Sequence, residues 1–277
     1  MGAFTKTWGV GASQGARLKL EPETIIQKNR IIADGGTVID LAYMDLAIKT
    51  LKQLGIYGNA KLLTDANFGV KKDGSGAVSK LYDISGNGND EAQVVGASQP
   101  IWSLVNGKGV ITYDGVNDRL TGSDYNLPTG STARTILAKL NISGYKDYGG
   151  IFSYGSTSVN GTGYTFSFNG LTPNVSCFAW NTNAAGSNST AIQLNTNISI
   201  GMSLNGTSLL FYLNGANDGV GTHIGVNTIL NRSSIGSAID GWGTSPYYPI
   251  KGQLNSVSIF NIVLNSTMRT TLYAAGL

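Results

Sequence analysis

From residue 60 to residue 277 apolar and polar positions alternate with period two, in short runs cut by Asn-Gly or Asp-Gly pairs that begin at 73, 106, 114, 160, 169, 205, 214 and 240. Alternation of this kind sends successive side chains to opposite faces of a strand, and the Asn-Gly or Asp-Gly pair supplies the positive φ of a tight hairpin turn. Ile136, Ala138, Leu140 and Ile142 share one such face, Tyr164, Phe166 and Phe168 another, and Ser176, Phe178 and Trp180 a third. Ile198, Ile200, Met202 and Leu204 pair through Asn205-Gly206 with Leu209, Phe211 and Leu213, the clearest hairpin of the chain. The last strand is expected from Gly252 to Phe260, with Asn265 or Ser266 capping a short closing helix through Tyr273. Strands this short and numerous, joined by hairpins and longer returns, predict an all-β, two-sheet antiparallel jelly-roll sandwich.

The first part of the chain follows another rule. Val38, Leu41, Met44, Ala47, Ile48, Leu51 and Leu54 recur at spacings of three and four before Gly55, and Thr37 stands three residues ahead of Asp40 as a weak capping box. This predicts one long helix, over residues 37 to 54. Residues 1 to 36 show no helical period and are expected as an extended arm. The division predicted is therefore arm (1 to 36), helix and connector (37 to 57) and sandwich (58 to 277).

Composition narrows the options for function. Net charge is +3 and only 13% of the 277 residues are charged, so no broad basic field exists for nucleic acid. The single Cys177 excludes an internal disulfide. No apolar run approaches the roughly 20 residues of a membrane-spanning helix, so no membrane insertion is expected. The opening M-G-A-F-T-K-T-W-G-V has no apolar signal core, which points to synthesis in a cytoplasm without export by the usual signal. Thirty-eight glycines sit beside 41% hydrophobic residues, the balance of a turn-rich packed fold rather than of disorder.

Three kinds of chemistry can be placed on residues. L-Y-D-I-S-G-N-G-N-D at residues 81 to 90 and D-G-V-N-D at residues 114 to 118 are turns rich in groups that bond neighbouring backbone. Were the two turns adjacent, Asp83, Asn87, Asn89, Asp90, Asp114 and Asp118 could converge on a calcium ion; otherwise they hold the turns. Sugar binding needs an aromatic platform with a few fixed polar groups. Asp240, Trp242, Tyr247 and Tyr248 offer this in one Gly/Pro-rich loop, and Trp180 with Asn181 offers it again. Glycoside hydrolysis needs two carboxyl groups across the scissile bond, yet glutamate occurs only at 21, 23 and 91, and Asp114 and Asp118 occupy turn positions. The lone His223, in G-T-H-I-G, is expected to pack or to face solvent. No enzymatic activity is expected. In the arm, Trp8, Arg17 and Lys19 are candidates for attachment to a larger assembly.

The order K-L-L-T-D-A-N-F-G-V, D-G-S-G-A-V-S-K-L-Y-D-I-S-G-N-G-N-D, Q-P-I-W, N-G-K-G-V, I-T-Y-D-G-V-N-D-R-L, then L-F-Y-L-N-G-A, S-I-G-S-A and K-G-Q-L-N-S-V-S-I-F-N-I-V-L-N resembles the concanavalin A-like (laminin G-like) lectin/glucanase superfamily over residues 58 to 277. The resemblance implies the jelly-roll fold and raises the case for calcium at a sandwich rim. It leaves function open, because lectins, binding modules, adhesion domains and hydrolases share the superfamily. Hydrolases of the superfamily carry Glu-x-Asp-x-(x)-Glu on one strand, and this chain has no such motif. The leading helix with its arm is similar, more loosely, to bacteriophage structural proteins. That second resemblance implies a virion surface protein (capsid decoration, head fibre or tail-associated) made in a bacterial host. It would bind other virion proteins through the arm and helix, form a homo-oligomer and display a domain for host-surface or environmental glycans. The alternatives are a bacterial carbohydrate-binding module or glycoside hydrolase, and a purely structural capsid-stabilising protein.

Overall fold

The computed structural model of the protein describes residues 19–183, 185–238 and 248–277. Among these residues the strands form two antiparallel sheets. The ten-stranded sheet runs, edge to edge, β1 (Thr37–Val38), β3 (Gly69–Lys72), β4 (Val78–Leu81), β5 (Glu91–Ala92), β8 (Leu120–Gly122), β18 (Arg232–Ile235), β10 (Gly150–Gly155), β11 (Gly163–Phe168), β12 (Val175–Ala179) and β13 (Thr182–Asn183). The other runs β14 (Ala185–Gly186), β17 (Ala216–Thr222), β16 (Ser208–Leu213), β15 (Ile198–Asn205), β9 (Arg134–Gly144), β19 (Lys251–Phe260), β7 (Lys108–Asp114) and β6 (Ile101–Val105), with β2 (Ala60–Asp65) also paired to β19. This is the expected all-β sandwich.

Alternation builds the core between the sheets. Tyr164, Phe166 and Phe168 of β11 meet Ile136, Ala138, Leu140 and Ile142 of β9 and Ile200, Met202 and Leu204 of β15 in one buried cluster. The hairpin turns hold as expected: Asn106-Gly107 and Asn214-Gly215 have positive φ at both residues, the geometry whose twist matches that of the flanking strands. Strand β19 is an interior strand of its sheet with three partners. It pairs with β9 along its length, and on its other side first with β7 and then with β2. Asn255 stands at the changeover, where its side-chain oxygen accepts from Ile111 N and its carbonyl from Ala66 N.

A second core lies on the outer face of the nine-stranded sheet. Leu63, Leu137, Tyr212 and Phe260 are buried there beneath Met44, Ala47, Ile48 and Leu51 of helix α2 (Leu41–Gln53), Leu272 of helix α3 (Ser266–Ala274) and Ile31 of helix α1 (Pro22–Ala33). Helix α3 is capped as expected, its Asn265 side chain accepting from Met268 N.

Helix α1 corrects the expectation of an extended arm for residues 22 to 33. Pro22 fits the first turn, where its missing N–H costs nothing, and the helix turns Thr24, Gln27 and Ile31 inward. Two of those three are polar, so no apolar stripe marks the buried face. Asp45, itself buried, accepts from Glu21 N and from the Thr24 hydroxyl, and Arg30 bridges to Asp90 at 2.7 Å. Helix α2 starts later than expected. Asp40 caps it by accepting from Tyr43 N, while Thr37 and Val38 are extended and pair with Val70 and Gly69. Lys19 belongs to the described chain, its carbonyl accepting from Lys49 Nζ, whereas Trp8 and Arg17 lie outside the described residues.

Candidate functional site

Strands β11 and β12 turn Tyr164, Phe166, Val175 and Cys177 into the core, so the residues between them must face outward. Those residues are Thr165 and Ser167 on β11 and Phe178 on β12, with Thr165 directly opposite Phe178 in the register. The chain leaves β12 through Trp180 and Asn181, the latter with φ of 56°, which brings the indole back over the same face. Tyr148 and Tyr248 complete the wall of a cleft of about 320 Å³. Tyr148 meets Phe178 edge-on with ring centroids 5.0 Å apart, and Tyr248 at 5.4 Å. Both tyrosines have positive φ, 49° and 53°, a region that bulky residues enter only when their surroundings hold them there. Gly150 N donates to the Tyr248 carbonyl at 2.8 Å, which ties the two segments together.

The polar groups of the cleft are hydroxyls and one amide. Asn181 donates to Asn160 Oδ1 at 2.9 Å, which fixes its side chain. The Ser167 hydroxyl is buried and has no hydrogen-bond partner among the described residues, an uncommon state that usually marks a functional position or a water site. Among the described residues of its walls there is no Asp, Glu, Lys, Arg or His.

The structure brings Trp180, Asn181 and Tyr248 into one site, although the sequence places them in two separate loops. Asp240, Trp242 and Tyr247 lie outside the described residues. Tyr148 and Phe178 escaped notice as site residues. Phe178 carries a readable signal, an aromatic out of phase with the inward Cys177 and Ala179, but nothing local distinguishes Tyr148.

The two acidic turns spend their side chains on backbone and hydroxyl groups. Asp83 is buried, its carboxylate accepting from Leu63 N, Ser85 N, Asn89 N and the Ser85 hydroxyl, while burial pushes its pKa up. Asn87 donates to the Ala60 carbonyl, and Asn89 donates to the carbonyls of Lys61 and Tyr125. Asp114 accepts from Val116 N and Asn117 N, and Asp118 accepts from Asp114 N, with burial lifting Asp118 to about 6. The first turn is thus closed on itself and tied to β2 and to Tyr125, and the second is closed on itself. Among the described residues no three of His, Cys, Asp and Glu gather as metal ligands.

His223 is 1% exposed, its Nδ1 3.4 Å from Cys177 Sγ and its Nε2 3.2 Å from the Thr182 hydroxyl. Burial lowers the imidazole to about 4 and raises the thiol to about 12. Burial thus favours the neutral form of both, and the pair packs in the interior against β12 and β13.

No protein-family model and no curated protein matches this chain. Solved structures share its fold. An arabinofuranosidase complexed with arabinofuranosyl-alpha-1,2-xylobiose superposes with a TM-score of 0.57 at 10% identity, covering 83% of this chain and 64% of that one. The binding domain of Paraclostridial Mosquitocidal Protein 1 gives 0.51 at 13% identity, covering 78% and 52%. The chain thus spans between half and two thirds of these relatives. At such identities the likeness is one of architecture, a two-sheet antiparallel sandwich compatible with the concanavalin A-like fold.

Proposed function

We propose that the protein is a non-catalytic carbohydrate-binding protein whose ten-stranded sheet presents the aromatic cleft to a neutral glycan. The observation that carries this reading is the convergence of Tyr148, Phe178, Trp180 and Tyr248 around one cavity beside Thr165 and Asn181. Sugar rings have apolar faces that rest on aromatic rings and hydroxyls that need directional partners, and the cleft offers both. Hydroxyls, an amide and aromatic rings make a set that holds a sugar rather than one that cleaves it, since cleavage needs a carboxyl pair. The fold is shared with an arabinofuranosidase solved with an arabinofuranosyl-xylobiose, which is consistent with a sugar ligand. We place the protein on the surface of a bacteriophage particle, held there through its N-terminal region. That placement rests on the sequence resemblance to phage structural proteins.

Glycan-array screening followed by calorimetry tests the binding. The wild-type protein is expected to bind a neutral glycan, and Trp180→Ala to weaken that binding with little change in thermal stability. No glycan bound, or equal binding by the variant, overturns the reading. Release of reducing sugar from a polysaccharide, lost in Asp114→Asn or Asp118→Asn, would make the protein a hydrolase. Electron microscopy of the source particle without density for this chain would remove the virion placement.

A further inference from the structure

The opposite face of the sandwich carries a larger and chemically different depression. Helices α2 and α3 cover only part of the nine-stranded sheet and stop at Lys139, whose ammonium contacts the Tyr43 hydroxyl and the Gly276 carbonyl. Beyond that boundary lies a groove of about 720 Å³, extending from the tip of the β6–β7 hairpin at Val105 to the β16–β17 turn at Asn214. Its floor is made of side chains standing on neighbouring strands. Gln253 of β19 faces Asn141 of β9 in the register, and Asn141 donates to Asn197 Oδ1 at 3.0 Å just before β15. Two residues along the strands Asn255, Lys139 and Ser199 form a second polar row.

These amides have bonding capacity to spare. The Gln253 side chain makes no hydrogen bond to the described residues. Asn141 and Asn197 commit one end of each carboxamide to each other, and Asn255 commits its oxygen to Ile111 N. Lys139 adds no net charge, because Asp65 neutralises it at 2.8 Å. The groove therefore offers repeated donor and acceptor groups on its floor, with Asp40 and Lys108 adding one charge of each sign to its lining and Tyr43 of α2 and Tyr273 of α3 as its aromatic residues. The rows step across adjacent strands, which lie roughly 4.8 Å apart. A ligand matched to that pattern is extended, uncharged and rich in hydroxyls, with a repeat of similar length.

We infer that this groove is a second binding site, distinct from the aromatic cleft, for a linear neutral polysaccharide chain lying across β19, β9 and β15. A carboxamide can donate to one hydroxyl and accept from the next, so each step of the row can engage one sugar residue. The inference does not depend on the cleft being a sugar site.

The test is calorimetric titration with linear oligosaccharides of xylan, arabinan and glucan, from disaccharide to hexasaccharide. The proteins compared are wild type, Asn141→Ala/Gln253→Ala and Trp180→Ala. Affinity for at least one series is expected to rise with chain length and to fall by about tenfold or more in the double variant. Trp180→Ala should retain that length-dependent component. Absence of binding, equal binding by the double variant, or complete loss in Trp180→Ala alone would overturn the groove. Should the double variant fail to fold, amide chemical shifts of the wild-type protein decide: perturbation at Asn141, Asn197 and Gln253 supports the site, and perturbation confined to the cleft overturns it. Loss in Trp180→Ala with no effect of the groove variant would leave the cleft standing alone.

Discussion

The two outer faces of the sandwich both present large apolar side chains, and the chain treats them in opposite ways. On the nine-stranded sheet Leu137, Tyr212 and Phe260 point outward and are buried under the three helices. On the ten-stranded sheet Phe178 and Trp180 point outward with no helix of the described residues over them, and Tyr148 and Tyr248 rise beside them as walls. An aromatic residue facing out of a sheet therefore has two meanings. Under a helix it contributes to stability. Left open, with hydroxyl and amide groups nearby, it is available to a ligand.

The sharpest break between the faces comes from truncating one aromatic on each. Phe260→Ala should cost about 3–5 kcal/mol of stability in urea unfolding, because a fully buried ring leaves a cavity under α2 and α3. Glycan binding by the fraction still folded should be unchanged. Trp180→Ala reverses the pattern. It should weaken binding by about 2 kcal/mol in calorimetry while moving stability by less than about 1 kcal/mol. Equal loss of stability in both variants would erase the distinction.

Protonation sharpens it next. His223 sits between the sheets against β12 and β13, with a folded pKa lowered to about 4 by burial. The unfolded chain takes up this proton below about 6.5 and the folded one does not, so stability from this group is lost as pH falls from about 6.5 to about 4. Carboxyl groups lifted by burial act in the other direction, Asp118 with a pKa near 6 among them. The measurement is therefore the difference between wild type and His223→Gln across that window. The wild type should lose more stability on acidification, and parallel curves would refute the assignment.

The smallest effect concerns backbone strain at the cleft. Tyr148→Gly places at φ 49° a residue that adopts this conformation freely, and offsets the loss of ring contacts with Phe178 and Tyr248. Stability should change by about 1 kcal/mol or less, while glycan affinity falls. A large loss of stability would show that Tyr148 holds the fold rather than the ligand.

How legible this was in the sequence depends on where each residue's partner lies. Strands and hairpins were readable because alternation and Asn-Gly pairs are local. Helix α1 was not, because Thr24 and Gln27 fill its inner face, Thr24 bonded to Asp45 of α2 and Gln27 to Arg30, while Ile25, Ile26 and Ile32 stay exposed. In the cleft, Trp180, Asn181 and Tyr248 were recognisable by residue type and loop setting. Their meeting was not, because it depends on β10, β11 and β18 pairing segments far apart in the chain. Asp83 was readable as a turn residue, but its bond to Leu63 N is a tertiary contact that no local pattern foretells.

The interior position of β19 has a kinetic consequence. The Thr64 hydroxyl reaches the Val257 carbonyl across 193 residues of sequence, and β9 finds its long neighbour only when the same strand arrives. Until then β2 and β9 present open edges, the kind of surface that pairs with other chains. Non-local pairing of this sort slows folding toward milliseconds or longer. A chain stopped before Lys251 should collapse and aggregate rather than form a smaller sandwich, and its loss from the soluble fraction during expression is the readout.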